Sequence, residues 1–295
     1  AARSLSNVPE EMTYREPVAA AFELSWQTLE RPEQELLATL ALFGQAPIPL
    51  ALVQFALSHW DEEDLEDALA VLQQRSLLSY PSKPLPSAVN PMPFGQASPT
   101  TALRERDERG VSGAEPQLHA LVREFGRSKL ETELEPQADS LKRSVATALV
   151  AVAKTVPQTV TLEVVQRLEP AVPHLAVVAQ ELTDWIEDED CGWPFTVLAW
   201  LAQGQNRWTE TEQWYTQRLN LTEQRFGPTH PDTARSLNNL AALYKSLGRY
   251  EEALPLLKRS LSIREQELGA NHPDTAQSLN NLAALYKSLG RYEEA

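Results

Sequence analysis

Residues 236 to 253 and residues 278 to 295 spell the same string, SLNNLAALYKSLGRYEEA, displaced by 42 positions. Internal repetition constrains architecture more than any other signal. Each repeat is one supersecondary unit that cannot bury its apolar face alone, so units must stack. His230-Pro231-Asp232-Thr233 opens one unit and His272-Pro273-Asp274-Thr275 the next. Proline near the first helical position and aspartate in the first turn suit a helix start. Leu237, Leu240, Ala241, Tyr244 and Leu247 follow at helical spacing, and Gly248 stops the helix. Tyr250 starts a second helix, whose apolar face reads Ala253, Leu257, Leu261 and Leu268 and which Gly269 ends. Each unit is therefore expected to be two antiparallel helices joined by a tight turn.

These positions resemble the signature of the tetratricopeptide repeat, carried here by Leu237, Leu240, Ala241, Tyr244, Gly248, Tyr250, Ala253 and Leu257. The family's usual period is about 34. The longer period here resembles the kinesin-light-chain-like subclass, with a longer second helix and connection. Small Ala241 and Ala253 would let the two helices approach closely. A degenerate earlier copy fits the same offset: Trp208 stands where Tyr250 does, Trp214-Tyr215 where Leu256-Leu257 do, and Gly227 where Gly269 does. Units are expected near 195–236, 237–278 and 279–295, the last cut short. The chain opens on Ala1 and closes inside a second helix, so a longer parent protein is expected.

Charge is unevenly spread. The chain carries 26 Lys and Arg against 41 Asp and Glu, a net charge of −15. From residue 228 onward the counts are eight and eight, so the whole acidic excess lies in residues 1 to 227. That excess argues against nucleic-acid or anionic-membrane partners. The single cysteine, Cys191, suits a reducing cytoplasm. No long apolar run and no signal peptide occur.

The N-terminal part, after an extension over 1–15, reads as helices. EPVAAAFELSWQTLERPEQELLATLALF over 16–43 has apolar positions Ala21, Leu24, Leu29, Leu36, Leu37 and Leu40, broken at Arg31-Pro32. Pro47-Ile48-Pro49 opens a helix over about 49–58. Asp61, with Asp64 three residues on, caps a third that carries Leu65, Ala68, Leu69 and Leu72. Residues 76–80 predict a short strand, and Gln117 to Leu130 a further helix. Between them, 81–116 holds seven prolines and RERDERG, and reads as a disordered insertion. Three helices, a strand and a helix over 16–130 predict a winged-helix domain with a small β wing. Residues 131–194 predict a helical connector, with helices over Leu141–Val156, Leu162–Leu168 and Leu175–Trp185 broken by Pro157, Pro170 and Pro173. The expected fold class is mainly α: winged helix, connector, and a right-handed α-solenoid.

LSWQTLERPEQELLATLALF, IPLALVQFAL and LHALVREF, in that order, resemble the winged-helix part of the NB-ARC-type signalling ATPases of the STAND class. With the repeats behind it, the order resembles bacterial NB-ARC–repeat proteins. In that family a Met-His-Asp triplet precedes the last helix, and its histidine senses the nucleotide's phosphate. Leu118-His119-Ala120 stands at that place, keeping the histidine and losing the aspartate. The resemblance implies that His119 senses nucleotide in the parent. It also implies an ATPase module, with its ATP or ADP and Mg²⁺, before residue 1. No GxxxxGK[ST] loop occurs in this chain, so no cofactor is expected within it.

Other chemistry is scarce. A winged helix that read DNA would use its third helix, but here that helix carries Asp61, Glu62, Glu63, Asp64, Glu66 and Asp67 and no cation before Arg75. The run Asp184, Glu187, Asp188, Glu189, Asp190 lacks the glycine and spacing of a calcium loop. Cys191 has no CxxC context, and no HExxH or GxSxG occurs. No catalytic residue and no metal site are expected, and the chain is not expected to be an enzyme.

The candidate site is the concave face of the first helices. Its lining would be Arg235, Asn238, Asn239, Ala242, Lys245 and Ser246 in one unit, and Gln277, Asn280, Asn281, Ala284, Lys287 and Ser288 in the next. Asparagine amides both donate to and accept from a peptide backbone. Alternatively, Asn238 and Asn239 satisfy local backbone or bridge adjacent repeats. Arg235 with Asn239 resembles half of the family's carboxylate clamp, with Gln277 and Asn281 replacing its partners. Three functions follow: the sensor part of a STAND-type ATPase whose repeats bind a protein or peptide, a nucleotide-independent scaffold, and, against the acidic third helix, a transcription regulator.

Overall fold

A computed structural model describes residues 10–80 and 115–294. The described residues are mainly helical. They form two compact units: one reaches to Thr155 and takes in Gln166–Cys191; the other comprises Val156–Val165 and everything from Gly192 on.

In the first unit, α1 (Glu10–Gln27) and α2 (Arg31–Ala41) are separated by a turn, and Pro32 lies in the first turn of α2. Proline tolerates that place because its missing N–H would be unpaired there anyway. Helix α3 (Leu50–Ala56) starts from Pro49. Helix α4 (Glu62–Gln74) is capped as its sequence indicates, Asp61 Oδ1 accepting from the Asp64 N–H at 2.8 Å. Then come α5 (Ala120–Thr132), α6 (Glu135–Lys154), α7 (Leu162–Leu168), whose first four residues are counted with the second unit, and α8 (Val172–Glu181). The core is aliphatic: Leu36, Leu37 and Leu40 of α2 meet α4 and α5, and all three are within 1% of full burial. Gly126 lets α5 lie close on α2, since a Cβ there would sit 2.9 Å from the Ala41 Cβ.

Two expectations change here. The strand over 76–80 reduces to one antiparallel bridge, Ser79 to Gln117, and no strand occurs among the described residues. Ser76 and Leu77 end α4 instead: Ser76 takes φ +58°, and the Leu77 N–H donates to the Leu72 carbonyl at 3.0 Å. Among the described residues the small β wing is therefore reduced to that single bridge. The expected insertion lies outside the described residues over 81–114. Its last two residues do not belong to it, because Pro116 is buried and its carbonyl accepts from the Ile48 N–H at 2.8 Å. In the connector, Pro170 sits in a 3₁₀ turn (Glu169–Ala171), while Pro173 lies in the first turn of α8 and starts it.

The second unit holds helical hairpins. The first is α9 (Trp193–Gly204) with α10 (Trp208–Phe226), and the second is α11 (Pro231–Ser246) with α12 (Tyr250–Glu267). Helix α13 (Pro273–Ser288) opens the third, and Tyr292–Glu294 make one 3₁₀ turn after it. Consecutive helices pack on one another throughout. Ala241 and Ala253 are both fully buried, in a cluster with Leu257 and Leu285. Gly248 and Gly290 take φ +73° and +72°, a left-handed turn that glycine enters without Cβ strain.

Candidate functional site: the face of the first helices

Helices α11 and α13 begin in the same way. His230 and His272 each place Nδ1 to accept the N–H two residues on, from Asp232 and Asp274, both at 3.1 Å. That satisfies one of the N–H groups a helix start leaves unpaired. Below the cap, Leu237, Leu240, Ala241 and Leu243 are buried. The opposite face of α11 is left with Arg235, Ala242 and Ser246 exposed, and Asn238, Asn239 and Lys245 half-buried.

The expected groove residues divide into two groups. In the first, one bond stitches neighbouring first helices, Asn281 Nδ2 donating to Asn238 Oδ1, while within α13 Gln277 Nε2 donates to Asn281 Oδ1, both at 3.1 Å. For Asn238 and Asn281 the inter-repeat bridge is thus the role the geometry supplies. Arg235 is also engaged, donating to Asp232 Oδ1 of its own first turn at 3.0 Å. No clamp is assembled, because Arg235 is held by an aspartate and Gln277 by an asparagine.

The second group is open. Asn239, Asn280, Lys245 and Lys287 have no side-chain hydrogen bond or ion pair among the described residues. Asn239 is half-buried, and Asn280 and Lys287 are exposed. Apart from Asp232 and Asp274 at the starts of α11 and α13, helices α9, α11 and α13 carry no carboxylate, while α10 and α12 carry seven of this unit's ten glutamates. The open positions combine amides that can pair with a backbone and ammonium groups without a counter-charge.

The scaffold behind this face contains residues that sequence reasoning missed. Glu212 of α10 accepts from Tyr244 Oη at 2.8 Å and from Arg249 at 2.7 Å, and the Arg249 guanidinium lies 4.1 Å from the Tyr244 ring centre. Hydrogen bonding from Arg249 holds the Glu212 carboxyl below its usual range, burial opposing it. Arg264, only 4% exposed, reaches from α12 to the Asp274 carbonyl at 2.6 Å and to Ser278 Oγ at 2.9 Å. Burial pushes its guanidinium down from its usual value. The buried face of α12 runs Ala253, Leu257, Ser260, Ile263, Arg264, whereas Leu261 and Leu268 of the expected face are half-buried. The one available signal was the offset itself: position 264 is Thr222 in the earlier copy, and Thr222 also bonds its neighbour, Ser236, at 3.2 Å.

His119 sits at the start of α5, exposed, with Nδ1 accepting from the Leu121 N–H at 3.3 Å. It is used as His230 and His272 are. Among the described residues no group of His, Cys, Asp and Glu could hold a metal ion, and no helix is long and apolar enough to cross a membrane.

Residues 196–266 and again 238–295 match the model of the tetratricopeptide repeat family. No curated protein matches the chain. The repeated sequence, the stacked hairpins and the family match agree: from residue 196 on, this chain is built of tetratricopeptide repeats, and that region is a protein–protein interaction module.

Proposed function

We propose that the first-helix face binds an extended protein or peptide segment, through the open amides of Asn239 and Asn280 and the unpaired ammonium groups of Lys245 and Lys287. The observation that carries this reading is the division of labour along the face. Asn238, Asn281, Gln277 and Arg235 are taken up by intramolecular bonds, and these four are not. Backbone pairing by asparagines gives affinity with little sequence reading. A random peptide library panned against the 295-residue chain tests it. Peptides recovered should lose binding to an Asn239→Ala, Asn280→Ala double variant. Peptides that bind both chains equally would place the site elsewhere.

The wider role we propose is that of the sensor and relay part of a STAND-type signalling ATPase. Ligand occupancy of the repeats would bias a nucleotide module elsewhere in the parent. On this reading residues 1–295 form no enzyme and hold no cofactor, and the protein is cytoplasmic. The support is the order of the winged-helix-like segments, connector and repeats. A reading frame that extends upstream of Ala1 and encodes a GxxxxGK[ST] loop would agree with it; an extended frame without one would leave a scaffold. The scaffold reading has its own support, since His119 already uses Nδ1 to cap α5. Reading of DNA is disfavoured: Asp61, Glu63, Asp64, Glu66 and Asp67 are exposed on or beside α4, where phosphates would meet repulsion.

A further inference from the structure

The first-helix face changes character between repeats. Moved back by the repeat offset of 42, Arg235 and Ala242 of α11 fall on Trp193 and Trp200 of α9. Arg235 and Ala242 are exposed, so the register places two tryptophans on the face where α11 offers polar groups. Both helices pack against α10. Pro194 to Ala199, between the tryptophans, are buried, while both indoles are only half-buried. The two rings meet edge to face with centres 6.4 Å apart, and Trp200 is hydrogen-bonded to the Tyr215 side chain of α10. Side chains fixed in this way lower the ordering cost of binding. Helices α9 and α11 each have described helices before and after them, so the ends of the chain do not create this face.

The surroundings select what the indoles can take. A cation would suit their faces. However, α9 carries no charged residue, the Asp232 carboxylate of α11 is already held by Arg235, and Lys245 would repel it. Proline is uncharged and apolar, and segments rich in it dock on aromatic-lined grooves. In polyproline II conformation the backbone has no internal hydrogen bonds, so its carbonyls stay free for the Asn239 amide. The spacing agrees. Packed helices lie about 8–10 Å apart. Three residues of polyproline II advance about 9 Å and return to the same side. Trp200 and Lys245 stand on successive first helices, so a proline on the indoles brings the residue three positions along to Lys245. A carboxylate there supplies the counter-charge that Lys245 lacks among the described residues.

We propose that α9 and α11 together bind a proline-containing acidic peptide in polyproline II conformation, a reading that rests on the first-helix face being the binding face. A proline lies on Trp193 and Trp200, the backbone meets Asn239, and a carboxylate three residues from that proline meets Lys245. The tryptophans are the apolar anchor, and Lys245 sets the preference for acid.

The test is fluorescence anisotropy with the 295-residue chain and a labelled synthetic peptide holding Pro-Ala-Ala-Glu in a proline-rich frame. Saturable binding is expected. Exchange of that proline for alanine should weaken it at least about tenfold, as loss of a central anchor does. Exchange of the glutamate for glutamine should weaken binding to the native chain and change nothing with Lys245→Ala. Trp193→Ala should match the loss of the proline. Trp193→Phe, which keeps an apolar ring for packing, should bind more weakly than the native chain with an unchanged circular dichroism spectrum. No saturable binding, or equal binding of the proline and alanine peptides, would overturn the proposal. Panned peptides that depend on Asn239 but not on Trp193 would overturn it too, and would leave the first-helix site standing. Binding insensitive to Asn239→Ala, Trp193→Ala and Lys245→Ala alike would remove both. A chain that sediments as a dimer and becomes monomeric on Trp193→Ala would give this face to a second copy instead.

Discussion

Burial of His174 gives the first unit an acid signature. The side chain is fully buried; its Nδ1 accepts from the Gly44 N–H at 2.9 Å and its Nε2 donates to the Pro47 carbonyl at 3.0 Å. Burial holds the imidazole's pKa at about 4, below the ordinary 6.5, with the Pro47 bond opposing the shift. Between those values the unfolded chain binds a proton that the folded chain refuses. Stability should therefore be unaffected above pH 6.5, fall as pH drops from 6.5 to 4, and level off below. The loss is on the order of 3 kcal/mol, from about 1.4 kcal/mol per pKa unit. Titration of the imidazole resonances by NMR checks the first step: a midpoint near 4 is expected, and one near 6.5 would contradict the buried placement. Denaturation midpoints at about pH 7 and about pH 4.5 check the second, since His174→Gln should flatten the difference. Gly44→Ala should also loosen this joint, because its Cβ would stand 2.5 Å from the Pro173 carbonyl oxygen.

At the same scale, His119, His230 and His272 all serve as N-cap acceptors. His272→Ala should cost about 1 kcal/mol, in line with the loss of other N-caps, readable as a lower denaturation midpoint of the repeats. The histidines were legible in the sequence as helix openers only within the HPDT motif. His119 has no proline or aspartate after it, so its capping role had no local mark.

At the scale of elements, the hairpin core is the strongest expectation. Leu240 and Leu257 are 5% and 2% exposed. Truncation of either to alanine should destabilise the repeats by about 2–5 kcal/mol, through lost burial and the cavity left. A change below about 0.5 kcal/mol in urea titrations would place these residues at the surface. Helix starts and stops were legible where they rest on backbone chemistry that a single residue type supplies: Asp61, Pro32, Gly248 and Gly269. What was not legible depends on partners far away in the chain. The bridge at Ser79 needs Gln117, and the stitch at Asn281 needs Asn238. Arg264 falls on the apolar face of the helix wheel, seven residues after Leu257, but what its guanidinium donates to is visible only in the packing against α13. The Glu212 network is similar, and Glu212→Gln should weaken the hold on Arg249 and lower the thermal midpoint of the repeats slightly, as for other part-exposed pairs.

At the scale of the molecule, the acidic excess lies before residue 228 while the repeats are balanced, with their glutamates on the second helices. The repeats therefore offer a neutral to basic first-helix face within an acidic chain. A hydrogen-exchange footprint of the 295-residue chain, with and without a peptide selected on it, decides whether that face is the binding site. Protection is expected to centre on α11 and α13, between 235 and 246 and between 277 and 288, and to be lost in the Asn239→Ala, Asn280→Ala variant. Protection confined to α10 and α12, or to residues before 156, would contradict the assignment.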